Sequence, residues 1–376
     1  MTTYMPQRLS SFVGRRRERT ELRRLLSKSR LVTLTGIGGV GKTALALRTA
    51  EDVRRAFQGG VQVIELGELN DPSHLVGYLA HNFDLPAKES EHGVDDLVTH
   101  LGSRPTLLIL DNCEHLIDAV ARLTVTLIQS CAELRIISTS REPLRIDGEA
   151  VYLVPPLSIP DSSREVSAGE LALCDAVTLF AERARTALPG FEVDTANVST
   201  VAAICRHVDG LPLLIELAVA RLRSMSLNQI LERLDDRYKL LTLGSRGAPA
   251  RQQTLRMCTN WSYELCTVPE RALWSCLSVF SGGFELDAIE YICGGDPLST
   301  NFMDNVASLV DKSILIREET GSTVRFRILD TLRDYNFARE DADVDTALRH
   351  QRRHRDWCKR LVSVARSQWI GPDQQS

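Results

Sequence analysis

From Leu31 onward, short aliphatic runs alternate with stretches in which apolar residues recur every three or four positions. The aliphatic runs predict strands over 31–35, 61–66, 106–111, 135–140 and 150–154. Strands that read as near-continuous apolar runs with helices between them imply a parallel sheet covered on both faces. In such sheets, ligands bind beyond the carboxyl ends of the strands, so the chemistry is to be sought there. Ahead of the sheet, FVGRRRERTELRRLL at 12–26 sets Leu22, Leu25 and Leu26 on one stripe. Its arginines are interleaved with Glu18 and Glu21, which favours a solvated helix face over a nucleic-acid patch.

Behind the sheet the period stays helical. Residues 171–186 and 195–240 predict a bundle of short amphipathic helices, and 241–252, rich in Gly, Pro, Ser and Arg, reads as a linker. Helices are then predicted near 254–265, 269–280, 285–293 and 299–312. Two alternating strands follow in ILIREETGSTVRFRIL, turning at Thr320-Gly321. Helices followed by a hairpin suggest a winged helix. The helix that would enter a DNA groove, NFMDNVASLVDKS, sets Asp304 and Asp311 against Lys312 alone, a poor balance for approaching phosphates, so a packing role is expected. Residues 341–376 predict a helix with Arg349, Arg352, Arg353, Arg355, Lys359 and Arg360 on a basic, solvated face and Leu348, Trp357, Leu361 and Val364 available to pack. The expected architecture is α/β: residues 1–158 form a parallel-sheet domain with helices on both faces, 159–245 an all-α domain, 246–340 a winged-helix domain, and 341–376 the start of a further helical region.

Composition sharpens this only by exclusion. The 376 residues are too many for one core and suffice for two or three domains. Lys and Arg total 45 against 49 Asp and Glu, a net charge of −4 that argues against a surface built throughout for nucleic acid. The nine cysteines are scattered, without a C-x-x-C pair, and suggest neither a disulfide framework nor a zinc site, so a reducing cytoplasm is expected. The first residues, MTTYMPQRLSS, lack a signal-peptide core, and no run approaches the roughly 18 apolar residues of a spanning helix. No membrane partner is expected.

The stretch around which the chain is organised is TGIGGVGKTAL, 35–45, between the first strand and a helix. Gly36, four residues, then Gly41-Lys42-Thr43 fit G-x-x-x-x-G-K-[ST], in which Gly36, Gly38, Gly39, Val40, Gly41 and Ala44 supply a backbone cradle for phosphates. Lys42 adds a mobile positive charge, Thr43 offers a hydroxyl to Mg²⁺, and the helix N-terminus contributes partial positive charge.

Two strand ends carry polar groups in apolar settings. TLLILDNCEH, 106–115, ends an aliphatic run with Asp111, the Walker B pattern, in which a carboxylate serves the Mg²⁺ shell beside Thr43; the plain alternative is a helix-capping Asp. The neighbouring Asn112 stands where many P-loop hydrolases have a second acid to orient water. An amide cannot accept a proton, so either Glu114 substitutes or hydrolysis is slow. RIISTSREPL, 135–144, ends in Arg141. If this strand lies between the strands of the P-loop and of Asp111, Arg141 faces the γ-phosphate; the alternative is a surface Arg pairing with Glu142 or Glu149.

FVGR at 12–15, GIGGVGKT at 36–43, LLILDNCEH at 107–115, STSREPL at 138–144 and GLPLLIELAVARL at 210–222 together resemble the STAND class of NTPases, over residues 10 to about 340 and in the expected order. The resemblance is to NB-ARC-type cores of actinobacterial LuxR-family or AfsR-like regulators. It implies an ATP/ADP switch with Mg²⁺, closed as a monomer with ADP and opened by ATP for assembly, acting on its own sensor or effector domains or on a protein partner. It also implies that Phe12, Val13, Gly14 and Arg15 line the adenine and that Pro212 packs on the base, whereas the residues alone also read Gly210-Leu211-Pro212 as a turn into a helix. Where the family has Met-His-Asp, this chain has Ile328, Leu329 and Asp330, so the histidine is absent. Family members usually continue into helical repeats, which makes this chain look like a core without its sensor. Three function classes follow: a nucleotide switch controlling transcription, a working ATPase, and a DNA-binding winged helix. Asn112 favours the first.

Overall fold

The computed structural model describes residues 11–69, 71–85, 92–102, 104–159, 168–234, 255–294, 301–320, 323–337 and 344–369. The expected linker at 241–252 lies outside them. The chain divides into two compact units, 1–254 and 255–376.

In the first unit, α1 (Arg16–Lys28) leads into β1 (Leu31–Thr35), followed by α2 (Lys42–Val53), β2 (Gly60–Glu65), α3 (Leu75–Asn82), α4 (His92–Leu101), β3 (Thr106–Asp111), α5 (Ile117–Ser130), β4 (Leu134–Thr139) and β5 (Glu149–Leu153). The five strands form one parallel sheet in the order β2-β3-β4-β1-β5. β1 and β3 are buried along their whole length, as expected of central strands covered on both faces. The edge strand β5 exposes Val151 and Leu153. One face is covered by α3, α4 and α5, whose Leu79, Leu97, Val120 and Leu127 close on Leu108, Leu110 and Ile136. α1 and α2 pack together, with α2 against β1, β3 and β4. β1 and β3 have the expected bounds, and β2, β4 and β5 each begin and end one residue earlier than expected.

Segment 12–15 does not extend α1 backward. Gly14 and Arg15 are both left-handed, at φ 67° and 61°, so the helix begins only at Arg16. After β5 come α6 (Ala168–Leu173), α7 (Asp175–Ala187), α8 (Val198–His207), α9 (Pro212–Ala220) and α10 (Leu227–Arg233), packed on one another. α9 starts at Pro212, whose missing N–H costs nothing in a first turn.

The second unit contains α11 (Leu255–Glu264), α12 (Val268–Leu277), α13 (Leu286–Cys293), α14 (Phe302–Asp311), β6 (Leu315–Thr320), β7 (Thr323–Ile328), α15 (Asp330–Phe337) and α16 (Val344–Trp369). β6 and β7 form an antiparallel hairpin with Thr320 opposite Thr323. The fully buried Trp274 donates its indole N–H to Leu332 O at 3.1 Å and packs against Tyr263 and Tyr335. The ammonium of Lys312 donates to Glu270 Oε2 at 2.6 Å and to Leu265 O at 3.0 Å, while Ser308 donates to the other Glu270 oxygen at 2.6 Å. The one cation of the 301–313 segment is therefore engaged inside this unit. Asp330 begins α15 and pairs with Arg333 at 2.6 Å. The cysteine expectation needs one correction: Cys276 and Cys293, 17 residues apart, form a disulfide joining α12 to α13. Their pairing arises from helix packing, which no local cysteine spacing reveals.

Candidate nucleotide site

β1 delivers the chain into a loop, Gly36 to Gly41, and α2 takes over at Lys42. Gly39 has φ 80°, and a Cβ there would lie 2.9 Å from Leu213 Cβ, so only glycine lets the loop approach the start of α9. Leu213 N–H donates to Gly39 O at 3.3 Å. A Cβ at Gly41 would sit 3.8 Å from Pro212 Cγ and 3.9 Å from Ala44 Cβ. The structure thus sets Pro212 against the loop. Lys42 Nζ donates to Gly36 O at 2.6 Å and Ile37 O at 3.3 Å, folding its charge over the loop.

Asp111, at the end of β3, is 8 % exposed. Its Oδ1 accepts the hydroxyl protons of Thr43 and Thr139, each at 2.6 Å. Burial pushes the carboxyl above its usual range; the Thr139 and Thr43 hydrogen bonds work against this, Glu114 adds to it and Lys42 opposes it. Hydroxyl and carboxylate oxygens held together beside a lysine fit a hard divalent cation such as Mg²⁺. Asn112 is left-handed at φ 70°, and its N–H donates to Thr139 Oγ1 at 2.9 Å.

β4 does lie between β1 and β3, pairing Leu34 with Thr139 and Leu110 with Ser138. Arg141, just beyond it, is buried; its Nε lies 3.3 Å from Glu114 Oε1, and a Cβ at Gly38 would fall 2.7 Å from its Nη2. Arg141 is 6 % exposed, so it is not a surface residue, and Glu149 accepts the backbone N–H groups of Leu144 and Arg145. Glu114, the candidate substitute base, is an ion-pair partner.

Phe12 and Val13 are partly buried. The Arg15 side chain is 3 % exposed and donates to Val40 O at 2.8 Å and Pro155 O at 2.5 Å, and its backbone N–H to Asp175 Oδ2 at 3.2 Å. Burial lowers the guanidinium pKa, against the attraction of Glu18, Tyr152 and Asp175. Three residues around the loop were not anticipated. Thr139 lies in the polar Ser-Thr-Ser strand end and Leu213 in the stretch from Gly210 that the motifs already mark, while Asp175 carries no motif signal. Among the described residues no cluster of His, Cys, Asp and Glu is arranged to hold a metal by itself, and no helix is long and apolar enough to cross a membrane.

Comparison with known proteins agrees with this geometry. The AAA domain family matches residues 23–146. The chain is 40% identical over 335 residues to Rv0890c of Mycobacterium tuberculosis, named as an HTH-type transcriptional regulator; the match covers 88% of this chain and 36% of that protein. The chain thus spans about a third of the length of that relative. It is 36% identical over 350 residues to the uncharacterized protein Mb0918 of Mycobacterium bovis, covering 92% of this chain and 86% of the relative. Among solved structures, the Walker-type ATPase paby2304 of Pyrococcus abyssi shares the fold at a TM-score of 0.53 and 15% identity, over 86% of this chain and 95% of that one. By its near full-length match to Mb0918 the chain belongs to that protein's family, built on an AAA-type P-loop NTPase domain.

Proposed function

We infer that this chain is the regulatory core of a transcriptional regulator, an ATP/ADP switch that turns nucleotide over slowly. The observation that carries the reading is the meeting of Lys42, Thr43 and Asp111 at the strand ends, with an amide at Asn112 and with Glu114 bound to Arg141. The likeness to Rv0890c supports the regulatory setting. In this reading the loop from Gly36 to Gly41 holds the phosphates, and Lys42 neutralises them. Thr43 and Asp111 would hold Mg²⁺, which when bound polarises the phosphate oxygens. Arg141 responds to the γ-phosphate, and Phe12 to Arg15 with Pro212 take the base. Asn112 cannot take a proton from water, so hydrolysis is slow and ADP persists as the resting ligand. Residues 1–158, 159–245 and 246–340 are then the nucleotide-binding, helical and winged-helix parts, and 341–376 the start of a helical, sensor-like region. ADP defines the closed, monomeric state and ATP the assembling one.

A working ATPase is the second reading, favoured only by the acid at Glu114. Direct DNA binding by the hairpin unit is disfavoured by the engagement of Lys312 with Glu270. The test is to denature the purified protein and identify the released nucleotide, then measure turnover. Retained ADP with slow turnover supports the switch; an empty protein hydrolysing ATP several times per second overturns it.

A further inference from the structure

The segment from Ser11 to Arg15 reaches the phosphate loop in a shape its own sequence does not favour. Arg15 is left-handed at φ 61°, a conformation that is strained for a non-glycine residue and persists only where the surroundings impose it. Two anchors impose it. The buried guanidinium grips Val40 O and Pro155 O, and the backbone N–H donates to the carboxylate of Asp175, 160 residues away. Gly14 makes room for that carboxylate: a Cβ there would sit 2.2 Å from Asp175 Cγ. Asp175 is itself fixed, as the first residue of α7, by donating its N–H to Ser158 Oγ at 3.1 Å; Ala176 N–H donates to Ser158 O at 3.2 Å. Two turns further along α7, Arg183 donates to Ser11 O at 2.9 Å, and Ser11 also bonds Glu182. The segment is thus laid along α7, with Asp175 at the end nearest the loop.

We propose that Asp175 is a positioning residue for the nucleoside half of the ligand. Its carboxylate accepts the Arg15 N–H and so holds the double left-handed turn through which Phe12 and Val13 connect to the phosphate loop. Because the carboxylate rides on α7, a shift of α7 acts first on the nucleoside-binding segment and reaches the phosphate loop only through Arg15, whose guanidinium holds Val40 O. The loop keeps its own contacts, Lys42 Nζ to Gly36 O and Val40 N–H to Ile37 O at 3.3 Å, neither of which involves Asp175. This proposal rests on the nucleotide reading above.

The experiment compares ADP with inorganic tripolyphosphate, both with Mg²⁺, by calorimetry on the full chain. In Asp175→Ala the Kd for ADP should rise about tenfold or more, while that for tripolyphosphate stays within about twofold of wild type. Asp175→Asn, whose amide oxygen still accepts the Arg15 N–H, should restore ADP binding to within about threefold. Gly14→Ala, which drives a methyl into the carboxylate, should reproduce the ADP-selective loss and serves if Asp175→Ala fails to fold. Equal losses for both ligands, no loss for either, or an Asn variant as weak as the Ala variant would overturn the assignment. Wild-type protein that binds neither ligand would instead overturn the nucleotide reading.

Discussion

Arg141 Nε lies 3.3 Å from Glu114 Oε1, with both side chains less than a tenth exposed, so the acid that could substitute as base is held by the cation expected to meet a γ-phosphate. Removing one partner of a buried pair strands the other charge, which costs about 3 to 5 kcal/mol. Arg141→Ala should therefore destabilise the apo protein by roughly 3 kcal/mol, read from urea unfolding of the first unit, and Glu114→Gln by less. A loss under about 1 kcal/mol for Arg141→Ala would mean the pair is solvated.

Lys42 supplies the charge that a phosphate needs once its Nζ leaves the carbonyls of Gly36 and Ile37. Lys42→Ala should weaken ATP and ADP alike by at least tenfold, about 1.4 kcal/mol, in calorimetry. Unchanged affinity would remove the loop from the binding site.

We expect position 112 to limit turnover. Its left-handed backbone, φ 70°, is one that Asn and Asp both tolerate, so Asn112→Asp should fold normally. We expect wild-type turnover far below the usual range of about 1 to 1,000 per second, and a faster rate in Asn112→Asp with ADP affinity intact. Asp111→Asn should instead weaken Mg²⁺-dependent binding. A wild-type rate of several per second that Glu114→Gln abolishes would make Glu114 the base.

In the second unit, Glu270 is partly desolvated, which raises its pKa, but hydrogen bonds from Lys312, Ser308 and Thr267 outweigh this and hold it below the ordinary 4.5. A carboxyl whose folded pKa is depressed stabilises the fold above its unfolded pKa and loses that contribution as pH falls towards the folded value. Wild type should therefore lose stability relative to Glu270→Gln as pH drops below about 4.5, with a flat difference from pH 6 to 8. Urea midpoints at each pH decide it; a difference that is constant down to pH 3 would show that the carboxylate is not held.

The sheet was legible because burial on two faces leaves little choice: LVTL and TLLIL can only be central strands, and their ends carry Thr35 and Asp111 to the same rim. The phosphate loop was legible because it is local, the six backbone positions from Gly36 to Gly41. What the sequence hid were contacts between distant segments. Asp175 meets Arg15 across 160 residues and Thr139 meets Asp111 across 28; Asp175 sits in no pattern that hydrophobic period or glycine spacing can mark, and the strand end that holds Thr139 does not say which carboxylate it meets. The disulfide of Cys276 and Cys293 was missed for the same reason, since helix packing alone brings those sulfurs together.

The double hydrogen bond on Asp111 Oδ1 has a directional consequence. A carboxylate oxygen has two in-plane lone pairs, and here the hydroxyl protons of Thr43 and Thr139 take both. Each threonine has spent its single proton, so the Thr43 oxygen can offer an arriving cation only lone pairs, without first turning a proton out of the way. Polarity at this rim is thus set before any ion arrives: Oδ1 is saturated, and further coordination by Asp111 falls to Oδ2. A valine at 43 would match the threonine in shape and erase that orientation, whereas a serine would keep it.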